Sequence, residues 1–202
     1  MTMKAKIVQY AAAQMELVGI RSVSVDDICH EFGISKKTFY VHFATKDALL
    51  EQIMILHEEE LAKELEYIVK KKTVLQSFMS WNMVARQANK STDQKTPLIH
   101  DLQKYYPEVF KVHEKSVRKI MVNFLVRFLQ KGIDEQIFRS SIDVQITAAL
   151  FLDMHKSLMN RAEKQQMSKE SIRKEGKHNM DILLRGIFTH EGLSKLETLI
   201  KN

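Results

Sequence analysis

Residues 24–46 read SVDDICHEFGISKKTFYVHFATK. Val25, Ile28, Cys29 and Phe32 recur at the spacing of one helical face. Ser24 precedes them as a candidate N-cap, and Asp26 and Asp27 fall in the first turn, where the positive end of the helix dipole favours acids. Gly33 follows, at the point where a helix needs a residue that tolerates a left-handed backbone. Ile34 is apolar in the turn, Ser35 is placed to cap a third short helix over 36–42, and Thr45 is placed to cap a fourth. Two short helices meeting at a glycine have the sequence shape of a helix-turn-helix, whose second helix lies in the DNA major groove and leads with its N-terminal residues.

The chemistry of the stretch suits that placement. Residues 33–46 hold three lysines, one histidine and no acid. Ser35, Lys36, Lys37 and Thr38 occupy the leading end and offer hydroxyls, ammonium groups and backbone N–H groups to phosphates and base edges. Ile34 and Phe39 are expected to anchor the helix on a small core, while Tyr40 and His42 present polar tips over apolar bodies. Lys46, with the N-terminus of the fourth helix, is expected to make a phosphate site. Cys29 lies on the buried stripe of the second helix and reads as core packing, with no cation adjoining it in sequence to activate the thiol.

Working outward, Ile7, Ala11, Met15 and Val18 keep helical spacing until Gly19, which predicts a first helix over 3–18. Leu49, Ile53 and Leu56 continue the period in a fourth helix that reaches the lysine cluster at 70–72, about 40 Å away at 1.5 Å per residue. Segments 74–89, 97–104, 107–131, 143–165, 169–190 and 194–200 are each patterned as helix. Breaks are predicted at 91–97, Pro107, Gly132, the 140–143 turn, Ser168 and Gly192. No stretch alternates with period two for long enough to imply a sheet.

The bulk composition agrees. The chain has 202 residues, 45% of them apolar, with only six glycines and two prolines, which favours an all-α protein. A net charge of +6 is compatible with a polyanionic partner. One cysteine excludes an internal disulfide framework. The densest apolar stretch, IMVNFLVRFL at 120–129, is cut by Asn123 and Arg127, so no membrane span is expected and the cytoplasm is the expected location.

Residues 7–54, IVQYAAAQMELVGIRSVSVDDICHEFGISKKTFYVHFATKDALLEQIM, resemble the DNA-binding domain of the TetR family of transcriptional regulators. The matching elements are the alanine pair separated from Gly19 by five residues, the capping Ser24, Ile28, Gly33-Ile34-Ser35, Thr38-Phe39-Tyr40, His42-Phe43, and Lys46 followed by Ala48-Leu49-Leu50. The stretch KGIDEQIFRSSID (131–143) is similar to that family's turn between the seventh and eighth helices. Cys29 and Phe32 stand where the family often has alanines, and Lys37 where many members have glycine. Phe32 is therefore expected to widen helix packing or to cover the base of the first helix.

The resemblance implies a three-helix head at 1–45 and a helical ligand-binding and dimerisation domain at 46–202, connected by the helix at 46–72. It implies a homodimer that represses from an inverted-repeat operator in double-stranded DNA and is released by a small-molecule effector. Physics favours the dimer too, since one short helix reads few base pairs and a two-fold pair reads two half-sites about 34 Å apart or a multiple of it. By analogy Lys36, Lys37 and Thr38 face bases or nearby phosphates, Tyr40, His42 and Lys46 grip the backbone, and Ser24 caps its helix near a phosphate.

Aromatic and polar residues of the second domain supply a candidate ligand lining in Phe78, Trp81, Phe110, Asn123, Phe124, Phe151 and His155. Asn123 and His155 interrupt apolar faces and need partners if buried. Segments 143–165 and 169–190 are expected to pair with their copies through Ala148, Ala149, Leu152, Ile182, Leu183 and Ile187.

Two other classes compete. An enzyme needs clustered titratable groups, a nucleophile elbow or a phosphate loop, and the sequence displays none. The eight histidines form no HExxH, and a lone Glu175-x-x-His178 falls short of the two pairs a di-iron bundle uses, so neither a metal nor another cofactor is expected. The second alternative is a helical interaction protein whose head no longer binds DNA, against which the acid-free reading helix argues.

Overall fold

In the computed structural model, residues 1–77 and 96–201 are described. They form nine named helices: α1 Met3–Val18, α2 Val25–Phe32, α3 Lys36–His42, α4 Lys46–Lys71, α5 Pro97–Tyr105, α6 Pro107–Asp134, α7 Val144–Lys164, α8 Lys169–Ile187 and α9 His190–Lys201. Residues 74–77 are also helical. Among the described residues there is no strand, only an isolated antiparallel bridge between Phe138 and Phe188. No described helix is long and apolar enough to cross a membrane. The all-α expectation holds.

The chain divides into two compact units. The first holds residues 1–64 and 96–117 of those described. Its core takes Ile7, Ala11 and Met15 from α1, Ile28 and Cys29 from α2, Phe39 from α3, and Leu49, Leu50 and Ile53 from α4. Each of these apolar positions recurs at three or four residues, so one stripe per helix turns inward. Leu98 and Leu102 of α5 are fully buried in the same core, and Tyr106, Val109 and Phe110 pack against it. The head is thus completed by residues from far along the chain.

The local stops and starts follow the sequence. Gly33 sits at φ 59°, ψ 34°, the left-handed region. Its N–H donates to the carbonyl of His30 at 3.2 Å and the N–H of Ile34 donates to that of Cys29 at 3.0 Å, which closes α2 as a Schellman turn. The Thr45 hydroxyl accepts from the Ala48 N–H at 3.1 Å and caps α4. Phe32 meets Tyr10 of α1 edge to face, with ring centroids 5.5 Å apart, and so covers part of the first helix as expected. Gly19 adopts φ 87°, ψ 162°, and a Cβ there would lie 2.8 Å from Asp101 Oδ2. That carboxylate accepts from the Arg21 N–H at 3.2 Å, so α5 holds the turn after α1.

The second unit holds residues 65–77 and 118–201 of those described. Its core gathers Val74, Leu129, Ile137, Phe138, Ala148, Ile187, Phe188 and Leu196. Phe138 and Phe188 meet edge to face at 4.9 Å, and their backbones are tied by hydrogen bonds from Arg139 N–H to Ile187 O at 2.8 Å and from Thr189 N–H to Ile137 O at 2.9 Å.

Two predicted breaks are not breaks. Gly132 lies inside α6, which continues to Asp134 and ends where Gln136 takes φ 59°. A Cβ on Gly132 would stand 2.0 Å from Phe138 Cδ2, so the glycine is there to let that ring approach the helix. Gly192 lies in the first turn of α9, which starts at His190 rather than 194; a Cβ there would be 2.3 Å from the Ile137 carbonyl oxygen. Conversely, α8 ends at Ile187, before the predicted 190, because residues 187–189 bond to the 137–139 strip.

Candidate nucleic-acid interface

The interface is built from α2, the turn at Gly33 and α3. Phe39 is fully buried and packs at 5.4 Å from Phe43, itself 2% exposed. Burying a phenylalanine contributes up to about 3 kcal/mol, enough to pin a seven-residue helix that would not persist alone. With Phe39 inward and Ile34 partly buried against the same core, Ser35, Lys36, Lys37 and Thr38 are all exposed. The leading end of α3 faces solvent.

The hydroxyls at that end are already engaged. Ser35 Oγ accepts from the Thr38 N–H at 3.1 Å, and the two hydroxyls share a hydrogen bond of 3.0 Å. Ser35 Oγ retains capacity for one further bond to a phosphate or base edge, and Thr38 Oγ1 for two. At α2 the exposed Ser24 forms a capping box. Its Oγ accepts from the Asp27 N–H at 3.1 Å and donates to Asp27 Oδ2 at 2.6 Å, while the Ser24 N–H donates to the same oxygen at 2.8 Å. Hydrogen bonds from the Ser24 side chain and then its backbone hold the Asp27 carboxyl below the usual aspartate value.

The cations and amphipathic groups expected to meet DNA divide unevenly. Lys37 is exposed and, among the described residues, has no ion pair. Lys36 Nζ lies 2.9 Å from Asp26 Oδ1, and this hydrogen bond, reinforced by the aspartate's charge, raises the lysine pKa. The reading surface is therefore not free of acid: α2 supplies one. Tyr40 is half exposed, its ring held edge-on to Phe39 at 5.4 Å. His42 is half-buried beside Phe43. Lys4 Nζ sits 5.6 Å from the centre of the Phe43 ring.

Lys46 departs from expectation. Its Nζ donates to the carbonyls of Ile20 at 2.7 Å and Val23 at 2.6 Å, and burial lowers its pKa. Two of the ammonium's three N–H donors thus close the turn between α1 and α2. Cys29 is buried in the core as read from its stripe.

In the body, Phe78 and Trp81 lie outside the described residues. Phe110 packs against the core that contains the head, and Phe124 is buried, stacked on Phe128 at 6.0 Å. Phe151 packs against the second core. Asn123 and His155 are exposed, so the internal partner anticipated for each is not required. Of the residues expected between subunits, Ala148 and Ile187 are buried inside the chain's own core and cannot face a partner. Ala149, Leu152 and Leu183 are half-buried, and Ile182 is 56% exposed.

A head of three helices, with a glycine turn after α2 and a basic, outward first turn on α3, matches a known sequence family: residues 7–53 fit the model of bacterial regulatory proteins, tetR family. The head is a tetR-family DNA-binding domain. The whole chain shares its fold with solved regulators. It is similar to a tetR-family transcriptional regulator from Mesorhizobium loti MAFF303099 at TM-score 0.65 and 17% identity, covering 94% of this chain and 100% of that one. It is similar to reduced NemR from E. coli at TM-score 0.65 and 12% identity, over 92% and 97% of the two chains. A protein named flavonoid-responsive regulator FrrA aligns at TM-score 0.53 and 19% identity, over 93% and 98%. Among curated proteins none matches the sequence. The tetR-family head thus continues into a helical body of the same regulator fold.

Asp26, Arg21 and Asp101 escaped the sequence reading. Arg21 packs its guanidinium 4.8 Å over the Tyr105 ring. Their partners lie far away in sequence or on a neighbouring element: Asp26 meets Lys36 of α3, and Arg21, in the turn after α1, meets Asp101 and Tyr105 of α5.

Proposed function

We propose that this tetR-family protein is a homodimeric repressor in the cytoplasm that holds an inverted-repeat operator and releases it when a small molecule binds its body. The observation that carries the DNA-binding part is the outward leading end of α3: four exposed polar or basic residues in succession on a helix pinned from behind by Phe39. Ser24, Ser35, Lys36, Lys37, Thr38, Tyr40 and His42 supply the contacts, with Lys46 acting from within as the clamp on the preceding turn. The phosphates need these cations, and Lys37 offers its charge uncompensated.

Dimerisation is supported by apolar surface on the last long helices. Ile146 and Leu150, one turn apart on α7, are 68% and 50% exposed, and Ile182 on α8 is also outward. These residues, with Ala149, Leu152 and Leu183 at their margins, are the proposed contact set. Ligand release is supported by the fold, which a protein named as flavonoid-responsive also carries, and by α4, a single helix of 26 residues whose ends belong to different units. An effector shifts such an equilibrium only through its differential affinity for two states. Phe124 and Phe151 are the described candidates for its lining.

The test is a mobility shift on the intergenic DNA beside the gene, with mass determined in solution. The proposal expects a dimer that retards a fragment containing an inverted repeat, and a reporter silenced by the protein. A monomer that retards no duplex at low salt would overturn it.

A further inference from the structure

We infer that Val41 is a specificity-determining residue, whose branched apolar side chain meets the C5-methyl group of a thymine in each half-site. The inference rests on the DNA-binding reading above and adds which base feature is read.

Val41 is 77% exposed, although it lies between the fully buried Phe39 and Phe43, which is 2% exposed. At about 100° of rotation per residue, Lys37 and Val41 fall about 160° and 200° from Phe39, one turn apart on the face of α3 opposite its anchor. Both are exposed. Tyr40 leans back against Phe39 and Lys36 leans toward Asp26, so both flank this pair without covering it.

Nothing among the described residues calls for valine at this site. It lies outside the core, and β-branching lowers helix propensity in a helix of only seven residues. In the major groove the same features are useful. Thymine is the one common base that presents a methyl group there, and apolar side chains recognise it by contact. A β-branched side chain is stiff at χ1, so little rotamer freedom is lost on docking. Lys37, a turn earlier, carries charge toward neighbouring phosphates or guanine edges. The cations around Val41 argue for a nucleic-acid occupant over an apolar protein partner.

The experiment uses the full chain. Duplexes are selected from a randomised pool, the best-bound sequence is resynthesised with each thymine replaced in turn by deoxyuridine, and affinity is measured at fixed salt for wild type and Val41→Ser. The inference expects one thymine per half-site at which loss of the methyl weakens wild-type binding about fourfold, the value of one buried methylene-sized group. Val41→Ser, which is folded by circular dichroism because the position is exposed, binds with that sensitivity erased and its salt dependence unchanged. Uniform indifference to deoxyuridine in the wild type, or full sensitivity in Val41→Ser, overturns the inference while leaving DNA binding intact. Failure to enrich any duplex overturns the DNA-binding reading and this inference together.

Discussion

The ammonium of Lys46 lies 2.6 Å from the carbonyl oxygen of Val23 and 2.7 Å from that of Ile20, so the first residue of α4 fastens the turn that leads into α2. Two charge-assisted hydrogen bonds in a partly buried setting matter chiefly through what their loss leaves unpaired. Lys46→Met is expected to destabilise the protein by about 1–3 kcal/mol in urea denaturation. Under conditions where the variant is folded, its duplex binding should keep the wild-type salt slope. A slope reduced with stability unchanged would return Lys46 to the phosphate-binding set.

Asp26 holds Lys36 at 2.9 Å on the exposed surface. Asp26→Asn removes the competitor and one negative charge from the face proposed to meet phosphates. Its duplex affinity at low salt is expected to rise, and the rise should be absent when Lys36→Ala is combined with it. An unchanged or weaker Asp26→Asn would mean that the aspartate positions the lysine for its target.

Gly33 and Gly132 are required for different reasons, and substitutions should separate them. At Gly33 a Cβ meets nothing within 4 Å, so Gly33→Ala carries only the left-handed backbone penalty of about 1–2 kcal/mol, and Gly33→Asn less. At Gly132 the backbone is helical and the obstacle is the Phe138 ring at 2.0 Å. Gly132→Ala is expected to cost about 1–3 kcal/mol by overpacking, and Phe138→Leu should relieve part of it in a double-mutant cycle. Additive effects at 132 and 138 would contradict the close-approach reading.

Glu66 is hydrogen-bonded to the Arg127 guanidinium and paired with Lys70 at 2.8 Å, and chiefly the arginine brings its pKa from 4.5 down to about 2. A carboxyl depressed in the folded state stabilises fully above its unfolded value and loses that contribution as pH falls from about 4.5 toward 2. The melting temperature of wild type should therefore fall more steeply than that of Glu66→Gln between about pH 5 and about pH 3. Parallel acid limbs would contradict this role.

The head was legible because its signals are local. The stripes on α1 and α2, the cap at Ser24, the glycine at 33 and the cap at Ser35 each act within a few residues, and each stands where the sequence put it. What escaped was set by packing across the fold. Lys46 in sequence is a cation at a helix start; only the approach of residues 20 and 23 makes it internal. The acid opposite Lys36 comes from the neighbouring helix, and Leu98 and Leu102 enter a core whose other members end at residue 54. Glycine carries the same ambiguity: a stop at 33, a point of close approach inside helices at 132 and 192.

The central claim is that the outward face of α3 binds duplex DNA. It is tested most directly by measuring duplex affinity against salt concentration for wild type and for Lys36→Ala combined with Lys37→Ala. The wild type should show log affinity falling linearly with log salt. The double variant should bind more weakly, with a slope shallower by about 0.9 for every phosphate that the protein no longer neutralises. Identical affinity and slope in the two proteins would contradict it.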